Sequence, residues 1–189
     1  MQFARNNLQL NSREGIFSEI GMAAGIHATD WSWSTLLFDF ENDGRKDIFI
    51  SNGINKRMND MDYINFVSND EIQRQISEKQ FDESNEALID LLPEVKIPNR
   101  FFKNTPELRF EDQAAFIDNN TVSYSNGAVY TDLDNDGDLE VVTNNVNDEV
   151  FVYENLTQTN LHNPSYLPII LKGKQGNLNA IGAKCLIYT

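Results

Sequence analysis

Asp132-Leu-Asp-Asn-Asp-Gly-Asp-Leu-Glu140 places a carboxylate at every odd position and a glycine at the sixth, and Asp39-Phe-Glu-Asn-Asp-Gly-Arg-Lys-Asp47 repeats the pattern at all but the seventh. The likeness extends far beyond the two acidic loops. An offset of 93 residues, from Asp39 to Asp132, also superimposes Asn11 on Asn104, Glu14 on Glu107, Phe17 on Phe110, Trp31 on Tyr124, Ser32 on Ser125 and Asn52 on Asn145. One ungapped register held over such a span identifies a structural unit used more than once.

Working outward from each loop, the unit reads strand, acidic loop, strand, with turn residues between. Ile16–Ile20, Ser34–Phe38 and Asp47–Ile50 serve in the first copy, and Leu108–Phe110, Gly127–Tyr130 and Leu139–Val142 in the second; Val150–Tyr153 begins a further strand, with Asn155 where Asn11 and Asn104 stand. Residues 1–55 form the first β repeat, 56–100 an insertion, 101–155 the second repeat, and 156–189 a linker with a new β segment. The insertion is expected to be helical. Ser68-Asn-Asp-Glu71 has the spacing of a capping box, Ile72 and Ile76 share one helical face, and Leu88, Leu91 and Leu92 share another before Pro93. Beyond Asn155, a polar linker leads to the apolar run Tyr166–Leu171 and to a strand at Ala183–Tyr188. The fold class expected is therefore mainly β, with blade-like antiparallel repeats separated by a helical insertion.

Composition narrows the functions. The chain has 189 residues, 40% of them hydrophobic, and a net charge of −14 with a pI near 4.4. Such a chain cannot assemble the positive face that nucleic acid or an anionic membrane surface requires. Cys185 is the only cysteine, so neither a disulfide framework nor a cysteine zinc site is available. No apolar run reaches membrane-spanning length, and Met1–Asn6 lacks the features of a signal sequence. Because Leu186–Thr189 reads as the middle of a strand, the chain is expected to be a segment of a longer protein.

The loops carry the chemistry. Calcium takes six to eight oxygens, and carboxylates at alternate positions of a tight loop can wrap them around one ion. Asp39, Glu41 and Asp43 hold positions one, three and five in the first loop, and Asp132, Asp134 and Asp136 hold them in the second. Gly44 and Gly137 supply the sharp turn. Position seven is Arg45 in one loop and Asp138 in the other, which assigns its main-chain carbonyl to the ion; Asp47 or Glu140 closes the site at position nine. The twelfth position, Ile50 or Thr143, removes the bidentate glutamate of an EF-hand, and strands flank the loops in place of helices. About two calcium ions are expected. The second loop should bind more tightly, since Arg45 and Lys46 oppose the field of the first.

These residues resemble the FG-GAP/VCBS repeat family: Phe17-Ser-Glu19 with Asp39 to Gly53, then Phe110-Glu-Asp112 with Asp132 to Asn145. Leu171–Asn177 and Ala180–Ala183 look like the start of an ASPIC/UnbV-type domain. The resemblance implies a β-propeller with calcium in its blade loops, in exported or surface-anchored proteins concerned with adhesion, ligand binding or carbohydrate handling. About two units cannot close a propeller, which typically takes four to eight blades, so an incomplete propeller is expected here.

Other residues give less. Trp31 and Trp33 could stack on sugars, although core packing is the commoner use of such a pair. Asp60 and Asp62 read as turn and capping residues. His27 and His162 are isolated and form no nucleophile, base and orienter set, so no enzymatic activity is assigned. Asn119-Asn-Thr121 and Asn155-Leu-Thr157 match a glycosylation pattern too common to weigh. The leading reading is a calcium-bound scaffold for protein or glycan partners; a carbohydrate-binding module of a glycan-uptake system, or a non-catalytic piece of a larger hydrolase, are the alternatives.

Overall fold

The computed structural model describes residues 5–12, 14–56, 64–65, 68–70, 73–74, 92, 94–118, 120–157, 167 and 169–187. The fold is mainly β, built as three antiparallel sheets. β1 (Gln9–Asn11) and β2 (Phe17–Glu19) form a hairpin; β3 (Ser32–Phe38), β4 (Asp47–Asn52), β5 (Arg100–Asn104) and β6 (Phe110–Asp112) form a four-stranded meander; β7 (Ser125–Thr131), β8 (Glu140–Asn145) and β9 (Phe151–Tyr153) form the third sheet.

The repeat in the sequence becomes a repeat in the backbone. β3 and β7 correspond residue for residue at the 93-residue offset, as do β4 and β8. Both pairs break register at the same place, between Ser32 and Thr35 in one and Ser125 and Ala128 in the other. Sequence unit and sheet are nevertheless out of phase. β5 and β6 open the second sequence repeat, yet they complete the sheet begun by β3 and β4. Each repeat thus finishes one sheet and starts the next.

The middle sheet is covered on both faces, and strand alternation explains how. Ile48, Ile50 and Phe102 face the segments that flank the first hairpin and pack with Ala24, Ile26, Leu8 and Ile20. Phe38, Phe49 and Phe101 face the third sheet and pack with Val141, Ala128 and Tyr153. β4 is buried along its whole length as a result. A continuous apolar run such as Ile48-Phe-Ile50 is what a strand buried on both sides requires. Phe38 stacks on Tyr130 at 4.9 Å, and Phe49 and Phe101 meet at 4.6 Å.

Helix among the described residues is limited to α1 (Gly21–Ala24), a 3-10 turn at Ala114–Phe116, Thr157, and short pieces within the insertion, where Ser68 N–H bonds the Ile64 carbonyl and Gln73 N–H that of Asn69. Those two bonds have helical span. Glu71, Ile72, Ile76, Leu88, Leu91 and Pro93 lie outside the described residues, as do Asp60, Asp62, Asn119 and His162.

One expectation is corrected at the end of the chain. Residues 169–187 lie in turns and unpaired backbone, so Ala183–Ile187 is not a strand; Tyr188 falls outside the described residues, as do Ser165 and Tyr166 at the start of that segment. Ile170, Leu178, Ile181 and Leu186 are exposed. Apolar residues alone do not make a strand, because the backbone also needs a ladder partner. Trp31 and Trp33 likewise escape the core reading. Trp33 is 52% exposed, with its indole N–H donating to the Gly53 carbonyl at 2.7 Å.

Candidate metal centre

The two acidic loops are the β3–β4 and β7–β8 hairpin connections, and their backbones match. Asn42 and Asn135 have φ of 57° and 64°, and Gly44 and Gly137 have φ of 86° and 95°. Asparagine tolerates the left-handed region better than other side chains, and glycine enters it without strain. In both loops position nine accepts the amide of position two: Phe40 N–H to Asp47 at 3.1 Å and Leu133 N–H to Glu140 at 2.7 Å. Position one accepts the glycine amide in both, at 2.7 Å from Gly44 to Asp39 and 3.2 Å from Gly137 to Asp132.

The loops are also neighbours. The Asn42 side chain donates to the Gly137 carbonyl at 3.3 Å, and the Asn155 side chain donates to the carbonyls of Phe40 at 2.6 Å and Leu139 at 3.3 Å. Asn104 does for the first loop what Asn155 does for the second, donating to the Lys46 carbonyl at 3.0 Å. The shared place of Asn104 and Asn155 in the sequence is thereby explained: each closes a hairpin loop from the following strand.

The carboxylates themselves part company. In the first loop both oxygens of Asp39 accept backbone amides, from Asp43 and Gly44, and both oxygens of Asp47 do so from Phe40 and Asn104. Glu41 pairs with Lys103 at 2.6 Å, and Asp43 pairs with Arg45. Burial holds the Glu41 carboxyl above the usual range against the pull of Lys103. Burial also acts to raise Asp43, but the hydrogen bond with Glu41 and the amide and charge of Arg45 outweigh it and hold that group low. Burial raises Asp47 despite its two amide donors.

Lys103 meets only Oε2 of Glu41, so one buried oxygen, Glu41 Oε1, is left over in the first loop, and the second loop leaves over more. Asp132 Oδ1 and Glu140 Oε1 are buried and have no hydrogen-bond partner, and Glu140 as a whole is only 4% exposed. Asp132, Asp134 and Asp136 bring one oxygen each within 4.8 Å of the others, and Asp136, Asp138 and Glu140 do the same. A buried carboxylate oxygen without a donor is costly unless a cation meets it. The oxygen-only donor set, dense in charge and folded around a glycine turn, fits calcium better than the softer metals. Asp138 is 1% exposed and offers its side chain as well as the carbonyl that its sequence position suggests. The first loop differs in that Lys103 and Arg45 already pair with Glu41 and Asp43.

No family model matches the chain, and no curated protein matches it significantly. Its chemistry is read from its own residues.

Lys103 is the residue that inspection of the loops alone overlooks, because it arrives from β5. A signal for it exists: Lys103 precedes Asn104 as Glu154 precedes Asn155. Beside the first loop, a cleft of about 730 Å³ opens between the middle and third sheets, lined by Phe40, Glu41, Phe101, Phe116 and Tyr153 among others. Among the described residues no helix is long and apolar enough to cross a membrane.

Proposed function

We propose that this chain is a calcium-stabilised β-repeat scaffold, an arc of a propeller of the FG-GAP/VCBS type, working outside the cytoplasm and presenting its surface to protein or glycan partners. The observation that carries the calcium reading is the buried, unpartnered Glu140 Oε1 beside Asp136 and Asp138 in a loop whose residues include no lysine or arginine. The propeller reading is supported by sheets that recur at one offset and stack face on face. Asp132, Asp134, Asp136, Asp138 and Glu140 would hold the ion, which supplies charge neutralisation and loop rigidity. Extracellular calcium modules commonly bind at about 10⁻⁴–10⁻³ M, a range that suits an exported or surface-attached scaffold and not a cytosolic sensor.

A native-state ligand stabilises by about 2.7 kcal/mol at a hundredfold excess over its Kd. Calcium at about 10 mM, roughly ten- to hundredfold above such a Kd, is therefore expected to raise Tm by several degrees, with Glu140→Gln abolishing the rise. An unchanged Tm in the parent protein would remove the metal from the scaffold. A glycan-contact role is favoured as a second reading by the exposed Trp31 and Trp33, whose rings lie 6.4 Å apart. Quenching of their fluorescence by soluble oligosaccharides, lost in Trp33→Ala, would support it.

A further inference from the structure

We propose that the first loop binds no ion because the chain supplies its own cations there, Lys103 from β5 and Arg45 from the loop; the proposal rests on reading the second loop as the calcium site.

The two loops share backbone, turn residues and closing asparagine, so their differences isolate what sets ion binding. Three register places have changed charge together. Arg45 stands where the second loop has Asp138, Lys46 where it has Leu139, and Lys103 where Glu154 follows β9. The first loop's four carboxylates, Asp39, Glu41, Asp43 and Asp47, are thus accompanied by three cations, while the second loop's five have none at the same places. Geometry shows what two of the cations do. Lys103 reaches Glu41 at 2.6 Å, and Arg45 grips Asp43 while its Nε donates to the Asn104 carbonyl at 3.3 Å. These are the carboxylates at positions three and five, two of the three that a calcium ion would draw together. The remaining two, Asp39 and Asp47, have both oxygens satisfied by amides.

Glu41 is part of the same substitution. Its extra methylene relative to Asp134 lets it reach Lys103. An ammonium ion on a flexible stem is a compact point charge, and here it is tethered in the fold at no cost in bound-ion entropy. The first loop is then rigid whether or not calcium is present, and the second is rigid only when calcium binds. Since Asn42 joins the loops at the Gly137 carbonyl, the permanently ordered loop is a platform against which the metal-dependent one is set.

Calorimetric titration of the full chain with calcium chloride, with equilibrium dialysis to count ions, tests the proposal. The parent protein is expected to bind one equivalent, and Glu140→Gln none. Arg45→Asp with Lys103→Glu, which installs the second repeat's residues at those two places, is expected to bind two, and the same pair on the Glu140→Gln background one. Lys103→Gln, a surface change that keeps the loop sequence intact, should add a second, weaker site that the parent lacks, and it decides the matter should the double variant not fold. Two equivalents in the parent, or one in Glu140→Gln, overturn the proposal, as does failure of both the double variant and Lys103→Gln to gain a site. No binding by the parent, with one equivalent gained by the double variant, instead supports the tethered cations and sinks the calcium reading of the second loop.

Discussion

Asn99 has no exposed surface and no charge to neutralise, yet its amide joins three strands. It accepts from Asn52 N–H at 2.9 Å and donates to Ser125 Oγ at 2.9 Å and to Tyr153 Oη at 3.0 Å, linking β4, β7 and β9. Asn6, at the same place one repeat earlier, donates to Thr29 Oγ1, which bonds Ser32. Removing such a group strands buried partners, each costing about 1–3 kcal/mol. Asn99→Ala is therefore expected to destabilise by about 3 kcal/mol in urea unfolding, against well under about 1 kcal/mol for a surface asparagine. The phenol of Tyr153 adds a pH dependence. Burial raises it above the ordinary tyrosine value, with the Asn99 bond acting the other way. Its folded value lies above its unfolded one, so its contribution is complete below the unfolded value near pH 10 and is lost as pH rises through the folded one. Tyr153→Phe should flatten the decline of the urea midpoint above about pH 9; an equal decline in both proteins would assign it to other groups.

At the scale of the element, the hairpins were legible and their partners were not. The offset between Phe38-Asp39 and Thr131-Asp132 placed both loops, and strand alternation placed β3, β4, β7 and β8 to within two residues of their starts. β1 and β5 escaped because Gln9-Leu-Asn11 and Arg100–Asn104 carry mixed residues whose strand character comes from the neighbour they pair with. Lys103 escaped for the same reason, since pairing with β4 is what carries it to Glu41. Glycine substitutions separate local from long-range terms here. Gly44 sits at positive φ with open space around its missing Cβ, whereas at Gly53, with φ of 123°, a Cβ would lie 2.8 Å from the Ser123 carbonyl oxygen. Gly44→Ala should cost about 1–2 kcal/mol from backbone strain alone. Gly53→Ala adds overpacking of about 1–3 kcal/mol, and thermal melts should rank the two in that order; equal losses would mean that the Ser123 backbone yields freely.

At the scale of the whole molecule, one row of residues tells which faces of the stack are covered. Leu36, Phe49 and Phe101 lie side by side across the middle sheet, and Val129, Val142 and Val152 occupy the corresponding row of the third. The first row is packed against the third sheet and Phe49 is wholly buried, while Val129 and Val152 are more than half exposed. Identical places in a repeated sheet thus have opposite environments, set by whether another sheet of the described residues packs against them. A fully buried Phe→Ala change costs about 3–5 kcal/mol, through lost transfer energy and the cavity left behind. Val142→Ala at the matching place leaves no enclosed cavity and should cost under about 1.5 kcal/mol. Guanidinium unfolding of both variants measures the difference directly. Comparable losses would show that the third sheet's outer face is covered in solution, and the cost of Val142→Ala would then have to depend on protein concentration if a second copy did the covering. A cost independent of concentration, small for Val142 and large for Phe49, is the expected result for a stack whose last face is open.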